Sequence, residues 1–448
     1  MRKYNLFFIV LFLALFCCFF SCKKSSSDTS TTVTDPTVFS GSINIYSSGN
    51  DTTLQRFLAG NYTTVSGSIL LATSDPIDYK KYFAKLIMVK GSVTLYKIPN
   101  KDLSFLSTLR SIAGTLQVSA CPELTNFAGL SSLDSISSSL VIDRNPKFIN
   151  CNGLEQLFFT IGTITVNGNP SFVSFSGLQN VTVLTGSLNV TQNPLLQSFI
   201  GLTSVTSIGG DLNLSDNPNM TGFTGLANLQ EIRGNIILNS MLNLTSLSNL
   251  ISVNDTVNSI SVTACNKLVN FQGLNNIPCL KGDISVVSCS NLQDLTGLGL
   301  IDTIRGVVEL SKLDNLNSLI GLNGVRYMRK DFRISECNSL LGMPGFALLD
   351  SIGGDFVVQN NDKLVNFNGF TKPRTIRGKM QILENISLKS LDGLDNLRNA
   401  RSTLDIYYND NLTSYCAIKT LSLAGYAYIS QNKYNPTWTQ IVTGKCSQ

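Results

Sequence analysis

Histidine is missing from all 448 residues, tryptophan occurs once, and only 14% of the residues are charged. The first absence removes Ser-His-Asp and Cys-His nucleophile systems and every His-ligated metal site. No enzymatic activity, cofactor or metal is expected on these grounds. The low charge does not mark a disordered chain, because 43% of the residues are hydrophobic. Disordered polyelectrolytes combine few apolar residues with high charge. An excess of one sign is also lacking: Lys+Arg 34 against Asp+Glu 29 gives +5, too even a balance to expect nucleic acid as a partner.

What is present begins with an export signal. Arg2 and Lys3 precede an almost unbroken apolar run from Asn5 to Phe20, and Ser21-Cys22 follows. As a helix that run spans roughly 24 Å, short of the hydrocarbon core of about 30 Å, so a permanent membrane span is the poorer reading. The stretch Phe19-Phe20-Ser21-Cys22 resembles the bacterial lipobox, with Phe19 where Leu is usual. The resemblance implies a lipoprotein signal peptide over residues 1–21 and lipidation of Cys22. It places the chain at the outer membrane or cell surface of a Gram-negative bacterium, with plain secretion as the alternative. Residues 22–40, the lipidated Cys and a Ser/Thr-rich stretch, read as a flexible tether.

From Gly41 the chain repeats. The motif Gly-x-[Leu/Ile/Val]-x-[Ile/Val/Leu] starts at Gly41, Gly67, Gly91 and Gly114, recurs every 24 residues from 114 to 402, and starts again at Gly425. A period this regular marks a solenoid, in which each coil buries its apolar face only against its neighbours. In residues 186–209, Leu188 and Val190 (positions 3 and 5) alternate as in a strand. Leu196, Phe199, Leu202, Val205 and Ile208 then recur about every third residue, which suits a chain turning around a narrow core.

Position 16 separates two architectures. It is Gly in eleven coils, from Gly129 to Gly393, and Asn at 249. Gly and Asn are the residues most at home at positive φ, so the series predicts a left-handed turn in each coil. A helix there would carry a mid-helix Gly costing about 1 kcal/mol relative to Ala. The expected fold is therefore all-β, a right-handed parallel β-helix of about seventeen 24-residue coils, with a leucine-rich-repeat horseshoe as the alternative. Residues 41–90 read as N-terminal capping coils, with amphipathic cap helices at 51–60 and 75–86. Residues 91–424 read as the solenoid proper and 425–448 as the C-terminal cap.

Position 8 is Asn at Asn145, Asn169, Asn193, Asn217, Asn361, Asn385 and Asn409, and Cys at Cys121, Cys265, Cys289 and Cys337. A buried side chain there is expected to hydrogen-bond the backbone of a turn in its own or an adjacent coil, with Cys as a small substitute carrying a weak donor. The spacing of these thiols follows the repeat and matches no metal-ligand pattern. Cys416 and Cys446 are candidates for a disulfide in the C-terminal cap.

Taken together, Leu-x-Ile/Val-x-x-Asn-x-x-Leu-x-x-Phe-x-Gly-Leu-x-x-Leu-x-x-Ile-x-Gly resembles the leucine-rich repeats of receptor L domains, over about residues 90–424. The resemblance implies a β-helical fold and a ligand-binding habit. The chain departs from receptor modules in running as one long array and in lacking their cysteine-rich partner regions.

Ligand surfaces of a solenoid are rows made by one position stacking across coils. Position 2 is Ser or Thr in the first seven coils and Asp at 211, 283, 331 and 355. Position 24 carries a basic row at Arg233, Lys281, Arg305, Arg329, Arg377 and Arg401. If positions 24 and 2 face one side, Lys281/Asp283 and Arg329/Asp331 neutralise each other, and such exposed pairs add little stability. The functional reading is a basic stripe that attracts an acidic glycan or protein. Near the C-terminus Tyr415, Tyr426, Tyr428, Tyr434 and Trp438 form either a lid on the last coil or a sugar-stacking cluster. The expected function is a lipid-anchored, monomeric envelope protein that binds an extracellular protein or polysaccharide. The alternatives are a structural spacer and a β-helix polysaccharide-degrading enzyme.

Overall fold

The computed structural model describes residues 35–47, 51–250, 253 and 256–448. The signal peptide, Cys22 and most of the tether lie outside them. Residues 37–448 form one compact unit. Its spine is a ladder of seventeen parallel strands, running from Ile43–Ile45 to Ala427–Ser430 with one strand per coil and sixteen turns of chain between them. From the third coil on, each strand occupies positions 3–6, and every strand pairs in register with its equivalent one coil on, as Leu188 with Leu212 and Val190 with Leu214. Positions 3 and 5 point inward and are buried, while 4 and 6 face out. In coil 186–209 the periodic residues Leu188, Val190, Leu196, Phe199, Leu202, Val205 and Ile208 are fully buried, whereas Leu195 and Ile200 stay about half exposed. The fold is the right-handed parallel β-helix, and among the described residues the only α-helices are Thr52–Ala59, Lys80–Phe83 and Trp438–Val442, all in terminal coils.

A second, shorter ladder uses positions 22 and 23 and comes in three pieces. Its strands run from Val38–Phe39 to Ser135–Ile136, from Phe159–Ile161 to Glu231–Ile232, and from Cys279–Leu280 to Ser422–Leu423. The last piece is the longest, with seven strands.

All eleven position-16 glycines have positive φ, between 99° at Gly369 and 138° at Gly345. Asn249 does not follow them. It lies in the 3-10 helix Ser248–Leu250, and the same device appears at Ser104–Leu106 and Cys416–Ile418. Those are the other two coils outside the helical cap that carry no Gly at this place, with Phe105 and Ala417 there instead. Where Gly permits a left-handed turn the coil takes it, and without Gly a tight right-handed turn replaces it.

A second left-handed residue, not apparent in the sequence, recurs at position 7. Lys97, Arg144, Gln192, Asp216, Lys312, Glu384 and Tyr408 are among fourteen non-Gly residues held near φ +55° within the described residues. That conformation costs about 1–2 kcal/mol per residue. In most coils the row at position 8 helps to offset the cost, and beside the apolar Leu313 the Lys312 N–H still donates to the Ser335 carbonyl of the next coil. Asn193 Oδ1 accepts the Asn169 N–H, and its Nδ2 donates to the Thr191 carbonyl before the turn and the Val166 carbonyl one coil back. Cys121, Cys265, Cys289 and Cys337 hold the same place, their thiols directed at the equivalent carbonyls 3.4–3.8 Å away. Met241 and Leu313 interrupt the row. The sequence reading stopped the row at Asn409, but Asn432 continues it and Asn435 closes it, accepting the Asn432 N–H at 2.9 Å.

The ends differ. At the N-terminus, Thr52–Ala59 is capped by Asp51, whose carboxylate accepts the Thr53 and Leu54 amides. Phe57 of this helix packs on Phe39 and Tyr62, and Ile43 and Ile45 of the first strand are fully buried. Of the cap helix expected at 75–86 only Lys80–Phe83 forms. At the C-terminus Cys416 and Cys446 are joined by a disulfide. The aromatic residues divide there. Tyr415 is buried, and its hydroxyl donates to the Tyr434 carbonyl, while Tyr434 and Trp438 pack partly against the core. Tyr426 and Tyr428 stay 76% and 57% exposed.

Candidate ligand-binding surface

The seven-stranded piece of the second ladder positions the basic stripe. Position 24 directly follows each of its short strands, and the buried residue at position 23 turns its neighbour outward. Lys281, Arg305, Arg329, Arg377 and Arg401 are all exposed, with Gly353 as the gap in the row. Neighbouring rungs stand roughly 4.8 Å apart. None of the five forms a salt bridge with a described residue. Arg329 instead lies over the Tyr327 ring, 5.0 Å from its centroid.

The position-2 acids do not neutralise this row. Asp211, Asp283, Asp331 and Asp355 each accept the backbone N–H of position 2 in the next coil, at 2.7–2.8 Å. Ser42, Ser68, Ser92, Thr163, Ser187 and Ser259 do the same through their hydroxyls. Position 2 therefore carries an acceptor row parallel to the Asn/Cys row, which accounts for its many Ser, Thr and Asp residues, with Val307, Lys379 and Tyr426 as interruptions. Asp331 gives its second oxygen to Arg333 at 2.6 Å, and Arg333 also reaches Asp355 at 3.6 Å. Burial works against ionisation of Asp331, but the hydrogen bonds from Arg333 and the Asp355 amide outweigh it and hold the carboxyl below its usual range.

Beside the stripe lies a groove of about 660 Å³, lined by Leu348, Asp350, Lys372, Arg374, Asn396 and Arg398 among others. Arg398 is fixed by its Nη1 bonds to the Asp395 and Leu397 carbonyls and the Thr420 hydroxyl. Lys372 and Arg374 form no salt bridge with a described residue. The stripe and groove together place seven unneutralised cations on the C-terminal half of one side. At the far edge of the main ladder, an opposite groove of about 500 Å³ gathers Asp362, Glu384 and Asp410 with the half-exposed Ile386 and Tyr408. The sequence reading missed Arg398 and this acidic row. Its signal was acids alternating between positions 7 and 9, one coil apart.

Four of the buried thiols are held protonated, while the hydrogen bond from Cys265 holds that of Cys289 below its usual range. Burial pushes Cys121 up to about 11 and Cys337 up to about 12, and raises Cys151 further. A hydrogen bond with Cys289, and then burial, raise Cys265. Such thiols stay protonated and weakly nucleophilic. Among the described residues no group of three or more His, Cys, Asp or Glu is placed to hold a metal ion, and no helix is long and apolar enough to cross a membrane.

A family model of the Receptor L domain matches residues 37–156, which are the capping coils and the first regular coils. The chain is similar to that family over this segment, which overlaps the residues 90–424 that carry the motif. No curated protein and no solved structure matches the chain.

Proposed function

We propose that this chain is a cell-envelope binding protein, anchored through lipid at Cys22, that captures an extended acidic ligand, glycan or protein, on its basic face. Receptor L domains and solenoid folds supply ligand-binding surfaces, and the match over residues 37–156 supports that general role. The observation that carries the finer reading is that Lys281, Arg305, Arg329, Arg377 and Arg401 stack at one position of the ladder, exposed and without salt bridges, whereas Arg233 at the same position in an earlier coil is paired with Glu231. Like charges held at strand spacing repel one another, and an anionic polymer lying along the row relieves that repulsion at every rung. The groove at Lys372 and Arg374 gives such a polymer a place to seat a side group. The surface binds by geometry and number of contacts, and no step of chemistry is assigned to it.

The test uses the full chain in detergent, with polygalacturonate as the acidic probe and dextran as the neutral one. Binding to polygalacturonate alone is expected, weakening steeply as salt shortens the screening length. The combined Arg305→Glu, Arg329→Glu and Arg377→Glu variant should lose it. Equal binding by that variant removes the stripe, and no binding to either polymer favours a spacer. Fatty-acid labelling lost in Cys22→Ala completes the anchoring part.

A further inference from the structure

The last coil ends the ladder without a cover. In every interior coil the position-3 N–H donates to the position-2 carbonyl of the next, as Leu404 to Tyr426 at 2.9 Å. Ala427–Ser430 pairs with Leu404–Tyr407 on one side, and no described strand follows on the other. Alternation along the strand turns the N–H and C=O of Ala427, Ile429 and Gln431 toward that open side. The inward residues Ala427 and Ile429 remain partly exposed, whereas Ile43 and Ile45 at the other end are fully buried. The tail covers only part of the last coil. Tyr434, Cys446 and Gln448 bond back to residues 412–415, while Leu423 on the other flank stays partly exposed. Soluble proteins guard such edges with charge, proline or a bulge. Residues 420–432 contain no charged residue and no proline.

We propose that two copies of this chain join tail to tail through Ala427–Ser430, as an antiparallel strand pair with its two-fold axis at Tyr428. The register is self-complementary. Ala427 faces the partner's Ile429 and exchanges both backbone hydrogen bonds with it, and the axis repeats that pair. The small Ala opposes the larger Ile, so the apolar core continues from one chain into the other. Tyr428 meets its own symmetry mate at the closely spaced, non-hydrogen-bonded position, beside Tyr426, whose ring centroid is 6.5 Å from that of Tyr428. Reversing strand direction also sets each tail over the uncovered flank of the other copy. The contact is isologous and uses the tail of both copies, so association closes at two and does not propagate.

Light scattering on the lipidated chain in detergent should give a protein mass twice that of one mature chain. Ala427→Pro removes only an outward-facing donor, so it should give single chains with an unchanged melting temperature. Tyr428→Cys should cross-link to a dimer on mild oxidation, because directly opposed residues fall within disulfide reach, whereas Tyr426→Cys, which faces the partner's Ser430, should not. A wild-type chain that is single at all concentrations, or a dimer that survives Ala427→Pro and resists cross-linking at 428, overturns the proposal.

Discussion

The side-chain oxygen of Asn193 accepts the backbone N–H of Asn169, one coil earlier, at 3.1 Å. The same side chain donates to the Val166 and Thr191 carbonyls at 2.9 and 2.8 Å, so one amide satisfies three backbone groups around a left-handed turn. Each of those groups, if buried without a partner, costs about 1–3 kcal/mol. Asn193→Leu should therefore lower stability by at least about 2 kcal/mol, read as a shift of the thermal transition. Asn193→Cys should fall between Leu and wild type, since a thiol replaces the donor but only weakly the acceptor. Equal loss from both would mean that the row acts through packing alone.

Glycine at position 1 answers to the position-2 row. A Cβ on Gly234 would run into Asp211 Oδ1 and the Gly210 backbone, whereas one on Gly299 would meet nothing within 4 Å. Gly234→Ala should destabilise by about 1–3 kcal/mol through this overpacking. Gly299→Ala should be neutral or slightly stabilising, because it only restricts the unfolded chain. Thermal melts of the two variants side by side check this, and equal effects would exclude the steric explanation.

Acid should loosen the C-terminal half through Asp331. Its folded value is depressed below the unfolded value of about 3.9. The stabilisation is thus fully present above that range and is lost as pH falls through the folded value. Asp331→Asn keeps an acceptor for the Asp355 amide but removes the charge. Its melting temperature should fall less than that of wild type between neutral pH and about pH 2. The difference should be small, because Arg333 is largely solvated. Parallel curves would show that the pairing contributes nothing.

The coil is legible in the residues because its apolar spacing and its glycines are local facts. Leu188 and Val190 declare a strand by alternation alone, and Gly201 declares a left-handed turn because only Gly is unstrained there. The buried nature of position 8 is visible too, since Asn and Cys share little beyond small size and a donor. Asn249 marks the limit of that local logic. It tolerates positive φ but does not require it, and the coil took the 3-10 alternative.

Position 7 carried no such mark, as Lys, Ala, Gln, Glu and Tyr all occur there. Asn or Cys at position 8 supports it in most coils, yet Lys97, Ser240 and Lys312 hold it beside Ile98, Met241 and Leu313, each donating its N–H to a carbonyl of the next coil, a partner that exists only after stacking. The same reason separates the acids of position 2 from the cations of position 24. Both rows are plain in the sequence, yet the acids turn to amides 24 residues ahead and leave the cations unpaired. The repeat thus settled the period, the strand and the core from its own chemistry. Which charges stay free and which end stays open depended on contacts a full coil away, and only the stacked structure could decide those.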